Sequence, residues 1–432
     1  MLSAFARAFR TPDLRRKLLF TLAIMAVFRL GSFVPLPGVS YTNVRTCIQG
    51  ADAVGGLALI NLFSGGALLQ LSVFALGIMP YITASIIIQL LTVVIPRFEA
   101  LKEEGQAGTT KLTQYTRYLT IGLAVLQSTT LVAIARNPRG LFSSCPADLV
   151  PSDSIVTILI MIITLTAGTG LIMWLGEVVT ERGVGNGMSL LIFTSIASGF
   201  PGSMWSIRSA NGLDVMLIVT ALGLVVMALV IFVELSQRRI PVQYAKRMVG
   251  RRMYGGTSTY IPIKVNTAGV IPVIFASSLL YLPALVTQFQ QNSNAAWVVW
   301  IQANLVRGDH PIYMLTYFGL IVFFTYFYVA ITFNPTEVSD NMKKYGGFIP
   351  GIRAGRPTAE YLDYVLSRIT LPGALYLGAI SLIPLIALGL FHANQNFPFG
   401  GTAILIIVGV GLETVKQIES QLQQRNYEGF LR

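Results

Sequence analysis

The sequence predicts an all-α integral membrane protein with ten transmembrane helices, and three observations carry that prediction. Hydrophobic residues make up 53% of the 432 positions and charged residues 12%, where a soluble domain carries about 25% charged residues. Ten apolar runs approach the ~20 residues that a helix needs to span a bilayer. They lie at about 17–36, 72–95, 112–134, 153–175, 185–201, 213–234, 267–288, 312–333, 371–391 and 401–419. The basic residues, finally, are asymmetric about those runs. Of the 31 Lys and Arg, 25 fall in the N-terminal tail, in the loops at about 96–117, 176–184, 235–266 and 334–370, and in the C-terminal segment. Five (Arg45, Arg136, Arg139, Arg208 and Arg307) fall in the alternate loops, and Arg29 lies within the first run. Cytoplasmic loops retain positive charge, so both termini are expected in the cytoplasm.

Taken in order, the first run follows a basic segment and lacks a small-residue cleavage site after it, so it reads as a span and not a removable signal peptide. Between the first and second runs lies GGLALINLFSGGA, at about 55–67. It is too short to span and is bracketed by glycines, which reads as a re-entrant half-helix or loop. Irregular backbone at membrane depth survives only where protein covers it or a cavity wets it. The fifth run is short and glycine-rich. The loops at about 235–266 and 334–370 are long and basic, with Pro and Gly among the charges. Topology alone explains their sign but not their length, since a connector needs only a few residues. The excess points to docking of something acidic: anionic lipid, ribosomal RNA or an acidic motor protein.

Several function classes fall away on composition. Two histidines and two cysteines without ligand spacing exclude a metal site on pattern, and no cofactor motif is present. Cys47 and Cys145 both fall in segments assigned outside the cytoplasm, where a disulfide is chemically possible; they are read here as two unpaired thiols. Transporters retain ionisable groups at the membrane midplane. Here only Arg29, in the outer half of the first run, and Glu413, in the inner half of the tenth, are intramembrane, with Glu177 and Glu234 at cytoplasmic ends. Each reads as snorkelling or as one member of an interfacial pair. No Ser/His, paired-Asp or HExxH arrangement suggests an intramembrane enzyme, and no GxxxxGK[ST] loop supplies ATP hydrolysis. A scaffold for lipid or partner binding remains open on composition alone.

The second run reads ALGIMPYITASIIIQLL from Ala75 to Leu91. Ile78 and Ile82 are four apart and share a helix face, with Gln89 close to that face. Periodicity leaves these isoleucines as packing or lipid-facing residues. The wording of this run is more specific than its pattern. With RLGSFVPLPG (29–38), GVGNGMSLLIF (183–193), KVNTAGVIPVIFASSLL (264–280), GGFIPGIRAGRPT (346–358) and FGGTAILI (399–406), it resembles the SecY family, the pore subunits of the bacterial protein-conducting channel, along essentially the whole chain. Ala354 departs from the proline common there.

That resemblance implies two pseudo-symmetric five-helix halves, 1–205 and 206–432, closed like a clamshell around an hourglass pore. It implies a pore ring of Ile78, Ile82, Ile192, Ile274 and Ile406. A plug at about 55–66 follows, built from Gly55, Leu57, Ile60, Leu62, Phe63, Gly65 and Gly66. A lateral gate between the second and seventh helices carries Gln89 and Asn266 in polar contact, and Arg251, Arg252 and Arg353 dock the SecA motor or the ribosome. SecE and SecG are the expected bracing subunits and the plasma (inner) membrane the expected location. The substrates implied are secretory and membrane proteins with signal sequences, with no small-molecule substrate and no enzymatic activity of the chain's own.

Overall fold

The structure, a computed structural model, describes residues 9, 11–50, 64–136, 149–151, 154–244, 247–249, 252–254, 258–289, 295–306, 310–391 and 401–428. It is mostly helical. In chain order the helices are α1 (Pro12–Gly31), α2 (Tyr41–Gly50), α3 (Met79–Val94), α4 (Pro96–Glu103), α5 (Gln106–Arg136) and α6 (Ile155–Arg182). Then come α7 (Gly187–Ser209) and α8 (Gly212–Leu235), followed by α9 (Ile271–Phe289), α10 (Ala296–Ile301), α11 (Pro311–Thr332), α12 (Pro335–Lys344), α13 (Arg356–Phe391) and α14 (Gly401–Glu428). Each of the ten apolar runs falls on a helix. Among the described residues, six helical segments are long and apolar enough to cross a membrane: Gln106–Arg136, Ile155–Arg182, Gly187–Ser209, Gly212–Leu235, Pro311–Lys344 and Arg356–Ile383. The chain is a multi-pass membrane protein.

Several boundaries differ from the sequence expectation for identifiable reasons. The second run is helical only from Met79, because Gly77 (φ +56) and Leu71 (φ +46) hold left-handed backbone that no helix accommodates. The seventh starts at Ile271, after Gly269 (φ +64) breaks the chain. The fifth run extends well past residue 201, and α8 follows it after a kink at Gly212 (φ +88) instead of a loop. At Ile95 the chain bends by 104° between α3 and α4. Pro96 follows, and the residue before a proline is pushed to extended backbone.

The basic loops contain strands that the sequence reading did not foresee. β1 (Gln237–Tyr244) pairs antiparallel with β4 (Ser258–Lys264), from Gln237 against Lys264 to Gln243 against Ser258. Between them β2 (Arg247–Val249) pairs with β3 (Arg252–Tyr254) as a second, two-stranded ribbon. The other edge of β1 takes β5 (Gly347–Phe348), from the second basic loop, giving the order β4-β1-β5. Ile240 and Val242 turn inward and pack with Ile263, Met342, Ile349, Leu362 and Val365. The two loops are thus one folded unit seated on α12 and α13. The alternation that makes this possible, QRRIPVQY against STYIPIK, is short and interrupted by proline, which disguises it.

One cysteine expectation is corrected: Cys47 is disulfide-bonded. The chain has one other cysteine, Cys145, outside the described residues.

Candidate functional site

The site begins with a stretch of chain that is neither helix nor strand. Ser64–Ile78 runs as successive turns, and all of it is buried except Gly66, Leu69, Gln70 and Val73, which are half-buried. Its backbone groups are satisfied locally and against the end of α1. Leu36 N donates to Leu71 O at 3.0 Å and Val73 N to Val34 O at 2.9 Å. The Ser64 hydroxyl accepts from Leu68 N at 3.1 Å, and the Ser72 hydroxyl donates to Ala67 O at 3.3 Å. Phe74 stacks on Phe28 of α1, with centroids 5.8 Å apart. This packing delivers Ile78 to the start of α3, where its carbonyl receives Ile82 N at 3.1 Å.

Ile192 is positioned as firmly. The turn from α6 into α7 is held by Thr180, whose hydroxyl accepts from Gly187 N at 2.9 Å, and by Thr21 of α1, which accepts from Val184 N at 3.2 Å. Asn186 then caps α7, its side-chain oxygen accepting from Met188 N and Ser189 N. Ile274 lies near the start of α9 and Ile406 near the start of α14.

The five isoleucines singled out by the resemblance come together. Ile78, Ile192 and Ile406 are 2%, 5% and 1% exposed, and they share one apolar cluster against which Ile82 and Ile274 pack, half-buried. Four helices contribute. Isoleucine is stiff at its first torsion, so a layer of five keeps a defined outline and presents no hydrogen-bonding group.

Beside this layer lies a cavity of about 380 Å³. Ile82, Ile192 and Ile274 line it, so three of the five layer residues face open space. One wall is polar: Tyr81 and Gln89 of α3, with Arg117 of α5, whose Nε donates to Glu177 Oε1 of α6 at 2.8 Å. The opposite wall is α9, with Ile271 and Phe275. The cavity therefore sits between α3 and α9. Glu177 is paired, as one of the two readings of its position required.

Among the described residues, no hydrogen bond joins the two side chains named for a polar contact between these helices. Asn266 is 3% exposed and gives its amide to Glu234 Oε1 at 2.6 Å and to Gly269 O at 3.1 Å. Its Oδ1 is buried and has no partner among the described residues. Gln89 is exposed and faces the cavity. Sequence reasoning missed Glu234 as the partner; its place at the end of an apolar run, 9% exposed once folded, was the available signal. Of the seven plug residues, Gly55, Leu57, Ile60, Leu62 and Phe63 lie outside the described residues, while Gly65 and Gly66 (φ +66 and +88) open the buried stretch.

In the second basic loop, Arg353 is exposed at the tip of a turn whose backbone is pinned. The Ser339 hydroxyl donates to Gly355 O at 2.6 Å, and the Thr358 hydroxyl to Arg353 O at 2.8 Å. Gly351 and Gly355, at φ +84 and +104, make the turn. Arg252 lies on β3, and Arg251 lies outside the described residues.

Against known proteins, residues 72–415 match the SecY family model. End to end, the chain is 69% identical to the protein translocase subunit SecY of Streptomyces galbus and 60% identical to that of Mycobacterium tuberculosis (strain H37Rv), covering 100% of both sequences in each case. Among solved structures, one described as the structure of a protein conducting channel superposes with a TM-score of 0.63 at 18% identity, over 94% of this chain and 91% of that one. Sec61 from a canine ribosome–channel complex of the endoplasmic reticulum superposes with a TM-score of 0.60 at 18% identity, over the same shares. These two likenesses establish the fold.

Proposed function

Because the chain belongs to the SecY family of protein translocase subunits, we propose that it forms the passive pore through which unfolded polypeptides cross the membrane. The observation that carries this reading is the layer of Ile78, Ile82, Ile192, Ile274 and Ile406, drawn from four helices and bordered by a cavity between α3 and α9. An aliphatic constriction excludes ions by dewetting, and it offers a passing chain of any sequence nothing specific to bind. In this reading the ten helices form two five-helix halves, 1–205 and 206–432, and the segment at about 55–66 plugs the layer from outside.

Sideways release of hydrophobic segments occurs between α3 and α9. Asn266 and Gln89 are the polar pair across that seam when it closes tightly. With Asn266 held by Glu234, the seam is in a looser state that leaves Gln89 free to the cavity. An interhelical amide bond in a membrane is worth about 0.6–2 kcal/mol, whereas each methylene of an arriving signal sequence gains ~0.8 kcal/mol on burial. The latch is weak enough for the substrate to displace.

The sheet-based platform docks the energy source, the SecA ATPase or the ribosome, with Arg251, Arg252 and Arg353 as contacts. Guanidinium binds carboxylate and phosphate alike, so one surface serves both, and the chain itself has no catalytic role. SecE and SecG brace it in the bacterial plasma membrane, with both termini and the platform in the cytoplasm and anionic lipid around the basic loops.

Cross-linking tests the pore. Ile82→Cys and Ile192→Cys, one at a time in a Cys47→Ser, Cys145→Ser background, are challenged with a secretory precursor stalled midway and carrying a thiol probe. Adducts at both positions that require SecA and ATP are expected. No adduct from a complex shown to be folded and motor-bound refutes the pore.

A further inference from the structure

The cavity beside the isoleucine layer changes character along its length, and its charged end is one that the pore reading leaves unused. Toward the layer it is lined by Ile82, Ile192, Ile274 and Phe275. Elsewhere its wall carries Arg117 of α5 with Glu177 and Glu181 of α6, one cation against two carboxylates. Both carboxylates lie in the last two turns of α6, beside the turn into α7, whereas Ile192 lies more than a turn further along α7. Glu177 is taken by Arg117 at 2.8 Å. Glu181 is exposed and has no ion-pair partner among the described residues, although it lies within electrostatic reach of Arg117.

Local physics argues against two carboxylates in this place. Four residues apart, they share a face of α6, where like charges disfavour the helix. They also stand at its C-terminal end, where the helix dipole is negative. Arg182 is the next residue and does not share their face. The chain as a whole carries a net charge of +12, so an unpaired carboxylate is out of keeping with its surroundings. Local rules broken in this way gather at working sites.

We propose that this end of the cavity reads the charge at the start of a signal sequence. Glu181 takes the basic residues that precede the apolar core, and Arg117, by neutralising Glu177, limits how strongly they are held. The proposal rests on the channel reading above and adds specificity-determining residues to it. A signal sequence is a positively charged stretch followed by about 7–15 apolar residues. The cavity offers the complement in the same order, a carboxylate at the helix ends and aliphatic side chains deeper. The basic loops on this side of the protein repel such a head, so one open carboxylate beside the apolar wall also fixes which end of the segment stays outside.

The full translocase complex in proteoliposomes, driven by its motor and ATP, tests this with two precursors. They differ only before the apolar core, with three lysines in one and three glutamines in the other, and the readout is the ratio of their translocation rates. Glu181→Gln is expected to lower the ratio by about two- to fivefold, the range that an exposed ion pair supplies. Arg117→Gln leaves Glu177 unpaired and is expected to raise the ratio by a similar factor. A role in holding the fold or the motor would slow both precursors alike and leave the ratio where it was. The parent ratio in both variants overturns the charge-reading site and leaves the channel standing. A ratio that ignores both substitutions but falls when the anionic lipid of the vesicles is halved gives the charge preference to the membrane surface, and overturns the site as well. Translocation of neither precursor by a parent complex with its motor bound overturns the channel reading itself. If Arg117→Gln does not assemble, Glu181→Gln, at an exposed position, decides alone.

Discussion

Two regions of this protein solve the membrane in opposite ways. α8 is a regular helix whose apolar window is only 11% buried, with Leu217, Leu222, Leu229 and Phe232 all more than half exposed. Ser64–Ile78 has no regular structure and is nearly all buried. A helix satisfies its own backbone, so its side chains are free to meet lipid; a chain of turns cannot, so protein must cover it. Irregularity at depth thus comes with packing. The break leading into α9, Val265–Val270, follows the same rule, buried or half-buried throughout.

The contrast breaks most visibly if equal truncations cost the same in both regions. Leu68, 2% exposed in the irregular stretch, packs with Leu71, Ala75 and Leu165. Leu68→Ala is expected to destabilise by about 2–5 kcal/mol, since a covered site cannot collapse around the lost methyls. Leu222→Ala on α8, 56% exposed, is expected to change stability by no more than ~0.5 kcal/mol. Equilibrium unfolding of both variants in mixed detergent micelles measures the difference; equal costs would mean that burial in the irregular stretch is not what holds it.

A smaller effect sharpens the comparison at the second covered break, Val265–Val270, which leads into α9. Glu234→Leu removes the acceptor of the 2.6 Å bond from Asn266 and leaves Gly269 O as the amide's one acceptor until it finds another, a loss of about 1–3 kcal/mol. With Asn266 released from α8, its amide turns to Gln89, and signal-sequence selectivity is expected to tighten. Glu234→Gln retains an acceptor and is expected to stay near the parent. Export of precursors with weakened signal sequences reads this directly: a gain in their export from Glu234→Leu would reverse the proposed direction.

What was legible in the sequence follows the same physics. Helices facing lipid announce themselves by unbroken hydropathy, so all ten runs landed on helices. The isoleucines of the layer were legible only through the wording of their segments, because a period of four cannot distinguish an Ile78 packed in the layer from a lipid-facing one. The breaks at Ser64–Ile78 and Val265–Val270 were overrun by apolar composition, since burial in protein and burial in lipid select the same residues. The strands were hidden for a different reason. β1 and β4 buy their stability from pairing between segments some twenty residues apart, and β5 arrives from a loop a hundred residues on. The Glu234–Asn266 and Arg29–Gly65 contacts are likewise long-range, and no local spacing encodes them. Cys47 was read as a free thiol because two cysteines far apart in sequence carry no pairing signal of their own.

The smallest expected effect comes from the same kind of bond placed in the basic platform. Ser339 donates to Gly355 O at 2.6 Å, a serine-to-carbonyl contact in an irregular turn, as Ser72 to Ala67 O is in the membrane. Both serines are 1% exposed. Neither carbonyl is left bare by losing the serine, since Gly355 O also accepts from Thr358 N and Ala359 N, and Ala67 O from Ser72 N; what differs is the setting, the basic platform for one and the cover of helices for the other. Ser339→Ala is therefore expected to cost about 0.5–1.5 kcal/mol, the ordinary net worth of a hydrogen bond. Ser72→Ala is expected to cost about as much, because Ala67 O keeps the bond from Ser72 N at 3.1 Å. Function should divide the two as well. Ser339→Ala loosens the turn that presents Arg353, so motor binding falls a few-fold while the resting leak stays at the parent value; Ser72→Ala raises the leak and leaves motor binding intact. If both variants weaken motor binding equally, the platform and the pore layer are coupled, and the separation between the two irregular segments does not hold.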